Sequence, residues 1–211
     1  MIHFYIVLIG LTMVFVSVSG RLETYVRYLM LQGFLLFLIV MTLSEHGSLF
    51  HTVFLAVETL GMKMLIIPLF LRKIIRRHTI LREIEPTIPH FFSVVLSTLI
   101  LLGGFALSFA SRDISLSIKP LFFGISLSVI MSSLVLIITR KKMITHITAF
   151  MMLENGIFLF SLSIAHKAPL IVDLGLLLDL FMAVFLLGLF ASKMYSSFEK
   201  THVDELTKLK D

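Results

Sequence analysis

The sequence predicts an all-α, polytopic integral membrane protein of about seven transmembrane helices, N-terminus outside and C-terminus cytoplasmic. Three observations predict it. First, of 211 residues 58% are hydrophobic and only 15% charged, and the mean hydropathy is +1.03. A soluble domain of this size has too little interior for so much apolar surface, and disorder demands the opposite balance. Second, seven apolar runs approach the ~20 residues with which a helix crosses the hydrocarbon core. Third, the basic residues fall mostly on one side of the spans so defined.

The runs cover residues 2–19, 28–43, 49–71, 91–110, 120–139, 145–165 and 169–194. The first has no basic stretch before it and no small-residue cleavage site ahead of Arg21, so it reads as a span and not a signal peptide. Stretches such as LSTLILLGGFALSFA are apolar on every side, whereas barrel strands alternate apolar and polar residues. Helices are then the remaining way to satisfy backbone amides in lipid. The connections 20–27, 44–47 and 166–168 leave no room for a folded extramembrane domain, so the chain reads as one membrane domain, 1–211. The longest connection, 72–90, is basic; its first half extends the third helix or lies on the membrane surface, until Pro86 and Pro89 stop it.

Orientation follows from lysine and arginine placement. Fourteen of the eighteen lie on one side, including Arg21, Arg27, the Arg72–Arg82 cluster, Arg140 to Lys142 and the C-terminal lysines. Arg112, Lys119 and Lys167 lie on the other, and Lys63 is inside a span. The basic side is expected to be cytoplasmic. This placement accounts for the net charge of +5 and pI of 9.6 without nucleic acid as a partner. The absence of cysteine excludes disulfides, thiolate metal sites, iron–sulfur ligation and a cysteine nucleophile in this chain.

The informative residues are ionisable groups at mid-span. Glu58 and Lys63 sit near the middle of the third run and Glu154 near the middle of the sixth. Asp179 is about ten residues into the seventh, roughly 15 Å deep at helical rise. Each such group costs at least ~2.5–3.5 kcal/mol at a helix centre, so it must face a protein interior or a wet cavity. Pairing is the structural alternative. Glu58 and Lys63, however, are about 140° apart around an α-helix, and Lys63 is expected to reach another helix instead. One lysine also does not neutralise three carboxylates. Groups poised in this way titrate toward neutrality and can pass protons.

Asp173 lies in the first turns of the seventh run, after Pro169, where an acidic residue suits a helix N-terminus; it is an interface anchor or a proton entrance or exit. His146, eight residues before Glu154, is a second such candidate beside a plain packing role. No histidine pair has ligand spacing, and no metal or cofactor site is expected. Gly103-Gly104 reads as a close helix approach, Gly61 and Gly156 as sites where a neighbour or water nears the charges or as plain packing sites, and Pro68 as a kink.

The stretch from Arg140 onward, with MLENG around Glu154, Ala168-Pro169, and the acidic pair Asp173 and Asp179 spaced six apart, resembles a known family. It looks like the NuoK subunit of respiratory complex I, and more closely the component E family of hydrogenase 4 and formate hydrogenlyase. The block GMKMLIIPLFL around Lys63 and Pro68 and the tail VDELTKLK share that resemblance. It is strongest over 140–198, weak over the first two of the five N-terminal spans in 1–139, and leaves 199–211 as a cytoplasmic tail.

The resemblance implies a non-catalytic membrane subunit of a complex I-like, energy-converting assembly in a prokaryotic cytoplasmic membrane. Its implied partners are antiporter-like subunits, a membrane anchor and peripheral redox subunits. Those partners carry the iron–sulfur clusters, with or without a nickel–iron centre, and this chain binds none. Glu154 and Asp179 match the positions of two membrane carboxylates of NuoK, and the relay is expected to include Lys63 and Glu58. Two alternatives stand beside this reading. One is a scaffold between pumping subunits without proton traffic. The other is a subunit of a multi-subunit cation/proton antiporter, against which the four extra spans and the tail argue.

Overall fold

The computed structural model describes residues 1–43, 53, 55–77, 88–111 and 119–164. These form α1 (Ile2–Val18), α2 (Leu22–Leu43), a π-helical segment (Glu58–Ile66) running directly into α3 (Ile67–Arg77), α4 (His90–Ala110), α5 (Pro120–Thr139) and α6 (Met143–Ile164). Counting the π segment and α3 as one body, the described residues hold six helices against about seven expected. The seventh run, 169–194, with Asp173 and Asp179, lies outside the described residues.

Four stretches, Leu22–Leu43, Phe91–Ala110, Pro120–Thr139 and Ile144–Ile164, are long and apolar enough to cross a membrane; α1 is apolar but shorter. The fold is therefore all-helical and of the multi-pass membrane type. Its surface agrees: α4 turns Phe91, Leu99, Leu102 and Phe109 outward, and α1 does so with Phe4 and Phe15. Apolar side chains on the outside fit a lipid solvent. α2 begins at Leu22, earlier than the run at 28, because Glu23 and Arg27 form an i,i+4 pair on its first turns, and that pair suits a helix emerging into the interface.

Successive helices alternate in direction. Ser17 near the end of α1 meets Ser97 near the start of α4 at 2.5 Å. Arg140, the C-cap of α5, donates from Nη2 to the Ser17 carbonyl at 3.2 Å. At the opposite end the Lys119 amide, preceding α5, donates to the Ser163 carbonyl at the end of α6. Along α2, Gly33 packs on Lys63 and Leu29 approaches Ile67, so α3 runs antiparallel to α2. Lys119 lies partly buried with its ammonium 5.2 Å from the Phe122 ring, and this desolvation lowers its pKa from the ordinary lysine value.

Helices touch where side chains are small. A Cβ on Gly104 would collide with the Gly124 carbonyl and the Ser128 hydroxyl, so α4 and α5 meet backbone to backbone. Its neighbour Gly103 faces open space, which halves the expectation for the pair. Gly156 approaches the backbone of Ile130 in the same manner between α6 and α5. Arg140, assigned by its charge to the basic side, is drawn into the protein interior. It is only 2% exposed, with its guanidinium 5.9 Å from the Tyr25 ring and one nitrogen on an α1 carbonyl. The C-terminal ends of α1 and α5 converge there, and their partial negative charge suits a buried cation.

Candidate functional site

The third run breaks the α-helical repeat where the charges sit. Residues Glu58–Ile66 are π-helical, and the α-helix resumes with Pro68 as its second residue. A proline interior to an α-helix removes one hydrogen bond and clashes with the carbonyl four residues earlier. Widening the preceding turns to i→i+5 bonding places the chain differently ahead of the ring. The widening also overturns the expectation that Glu58 and Lys63 face apart. Residues five apart share a face of a π-helix, and Lys63 Nζ lies 3.9 Å from Glu58 Oε1. That separation makes an ion pair without the reach of a direct hydrogen bond.

Lys63 is the hub. It is 5% exposed, and its ammonium lies 4.6 Å from the centroid of the Phe158 ring on α6. Phe158 is four residues after Glu154, on the same helical face, and Glu154 is 3% exposed. Lys63 and Glu154 line one small cavity together with Leu29, Ile67, Met151 and Asn155. It offers about 10 Å³ of room for the centre of a water molecule, enough for roughly one water. The close approach of α2 to the backbone at Lys63 depends on Gly33. A Cβ there would stand 2.8 Å from the Lys63 carbonyl carbon and 2.9 Å from the Met64 nitrogen.

A chain of neutral polar groups leads away from the cavity. Asn155 Nδ2 donates to Gln32 Oε1 at 3.2 Å, and Gln32 Nε2 donates to Thr12 Oγ1 at 2.7 Å and to Met13 Sδ at 3.2 Å. Thr12 in turn donates to the Ile9 carbonyl at 2.6 Å. Thr12, Gln32 and Asn155 are each 2% exposed or less. These hydrogen bonds join α1, α2 and α6 at mid-depth.

The structure thus brings Lys63, Glu58 and Glu154 to one place. His146 stays near the start of α6, its Nδ1 2.8 Å from the Lys142 carbonyl oxygen, about 12 Å along the axis from Glu154 and about 80° around it. Sequence reasoning missed Thr12, Gln32, Asn155 and Phe158. Gln32 and Asn155 were findable, because an amide within an apolar span raises the same question as a charge. Among the described residues no group of three or more His, Asp or Glu side chains converges as a metal site.

No protein-family model and no solved structure matches the chain. Over 205 residues, 96% of this chain and 93% of the relative, it is 24% identical to an uncharacterized protein of Mycobacterium tuberculosis. Over 122 residues, 58% of this chain, it is 25% identical to hydrogenase-4 component E of Escherichia coli and of Shigella flexneri. That match spans 56% of those proteins, about half their length. The chain is thus a multi-pass, membrane-type helical protein with charged residues buried at its centre, distantly similar to bacterial proteins that include hydrogenase-4 component E.

Proposed function

We propose that this chain is a membrane subunit of a complex I-like, energy-converting assembly of the hydrogenase type, and that Glu154, Lys63 and Glu58 carry protons within it. The observation that supports this most is the placing of Lys63 and Glu154 on one water-sized cavity, beside the Glu58 carboxylate. Two unit charges about 4 Å apart interact by about 4 kcal/mol at an effective dielectric near 20. Movement of Lys63 between Glu58 and the cavity therefore biases which carboxylate holds a proton. Glu154 takes up a proton when the ammonium withdraws and releases it when the ammonium returns. Asp179 continues the path beyond the described residues, with Asp173 and His146 toward its ends. The similarity to component E supports the choice of assembly.

On this reading the chain lies in a prokaryotic cytoplasmic membrane with its basic end inward. It packs against antiporter-like and anchor subunits, and the redox cofactors belong to peripheral partners. Isolation of the tagged chain from native membranes in a mild detergent tests the assembly. Antiporter-like and iron–sulfur subunits are expected to accompany it; a chain that runs alone, or with cation/proton antiporter subunits, rejects the assignment. A scaffold reading is favoured by one observation, the Glu58–Lys63 pair at 3.9 Å, which also suits a fixed lock between turns. The two readings separate on whether Glu154→Gln, in an assembly of unchanged composition, alters proton translocation.

A further inference from the structure

The hydrogen-bond chain from α1 to the cavity has only one consistent direction, and the direction is set far from the charges. A backbone carbonyl only accepts, so Thr12, 2.6 Å from the Ile9 oxygen, spends its hydroxyl proton there. Its oxygen is left to accept, which requires the nitrogen of the Gln32 amide at 2.7 Å. The Met13 thioether at 3.2 Å, also an acceptor, requires the same nitrogen. The Gln32 oxygen is thereby turned to α6, where it accepts from the Asn155 nitrogen at 3.2 Å. The carbonyl oxygen is the end of the Asn155 amide that remains, and Asn155 lines the cavity with Lys63 and Glu154.

We propose that Thr12 and Gln32 are positioning residues that lock the Asn155 amide with its oxygen toward the cavity, so that the cavity is furnished with a fixed acceptor for whichever group carries the proton. A fixed amide oxygen beside Lys63 and Glu154 favours ammonium, hydronium or carboxylic acid over carboxylate at that point of the wall, because only the former have a hydrogen to give. A reversed amide would offer its NH2 to the carboxylate and bias the cavity the other way. Asn and Gln have no proton to lose, so they do not conduct. They set the polarity of the site, and α1 reaches into it through neutral groups alone.

The titratable groups facing this site among the described residues are few. The π segment contributes Glu58 and Lys63, and α6 contributes Glu154 itself, with His146 two turns away. On α2, Glu23, Tyr25, Arg27 and Tyr28 all lie in the first two turns, and on α1 His3 and Tyr5 lie in the first turn. On α3, Arg72, Lys73, Arg76 and Arg77 all lie five or more residues beyond Ile67, the residue of that helix that lines the cavity. α4 and α5 carry no acidic or basic residue between His90 and Arg140 within their helical bounds.

This inference rests on the proton-carrying reading of Glu154, and its test is separable from it. The full chain, purified with the subunits that accompany it, is followed by infrared spectroscopy as pH is varied. The carboxyl band of Glu154 is identified by its loss in Glu154→Gln. Thr12→Val keeps the shape of the side chain and removes the oxygen that fixes Gln32; the weakly accepting thioether alone remains. The pH midpoint of the Glu154 band is expected to move down by about one unit, a tenfold change in the protonation constant. Thr12→Ser, which keeps the hydroxyl, is expected to leave it in place, and Gln32→Leu, which removes the tether itself, to move it in the same direction. An unmoved midpoint in both Thr12→Val and Gln32→Leu overturns the lock and leaves the transport role standing. A midpoint that moves as stated, in a chain whose Glu154→Gln variant still translocates protons at the full rate, keeps the lock and rejects the transport role.

Discussion

The pairing of Glu58 with Lys63 through a π-helical turn yields a sharp prediction, because an ordinary α-helix would separate the two. The perturbation is a double-mutant cycle of Glu58→Gln, Lys63→Met and the pair. At 3.9 Å the Coulomb attraction is about 4 kcal/mol at an effective dielectric near 20. Desolvation offsets part of it, but each single substitution removes this contact from a charge that stays buried, which costs about 3 kcal/mol. The double variant removes both charges and is expected to be less destabilised than the sum of the singles by about 2 kcal/mol. The contact of Lys63 with Phe158 is lost in every arm that lacks Lys63, so it cancels from the coupling. Stability is read as unfolding in mixed detergent micelles followed by circular dichroism, since the chain contains no tryptophan. Single effects that add to within about 0.5 kcal/mol would refute the pairing, and with it the π-helical turn.

Three further comparisons, each of two substitutions, are read by the same unfolding assay. Gly33→Ala is expected to destabilise by about 1–3 kcal/mol, since its Cβ meets the Lys63 backbone at 2.8 Å. Gly61→Ala, with nothing within 4 Å, is expected to be neutral or to stabilise by up to about 1 kcal/mol; equal effects at the two sites would contradict the close approach of α2. Gly104→Ala is expected to disrupt the α4–α5 contact while Gly103→Ala is tolerated, and the reverse order would mean that α4 is rotated. Arg140→Met is expected to cost about 2 kcal/mol through the lost charged hydrogen bond to Ser17, and Arg140→Lys not to restore it, because the planar group also lies against Tyr25. Full stability in Arg140→Met would show that residue to be solvated.

Much of the architecture was legible in the sequence because lipid imposes one strong rule. Apolar length and backbone satisfaction together leave helices, and the runs at 91–110 and 120–139 correspond to α4 and α5. The start of α2 was not legible, because Glu23 and Arg27 place charges in its first turns and an apolar run begins only after them. The burial of Arg140 was hidden for a related reason. A charge count assigns a residue to a side of the membrane but not to the protein interior, and only the convergence of two helix ends reveals that place. Lys63, Glu58 and Glu154 were conspicuous as charges in apolar runs, yet their relation was misjudged. The 100° step assumed for the third run fails where Pro68 follows a π-helical turn. Gln32 and Asn155 carry no charge and so do not stand out from an apolar run, and their partnership across 123 residues is a tertiary fact.

Glu154 as an exchangeable proton carrier is the core of the proposed function. The direct measurement is the number of protons moved per donor molecule oxidised, in vesicles holding the intact assembly, with Glu154→Gln beside the unaltered chain. The variant is expected to assemble with the same subunits and to move fewer protons per turnover or turn over more slowly when coupled. An unchanged ratio at an unchanged coupled rate would contradict that role for Glu154.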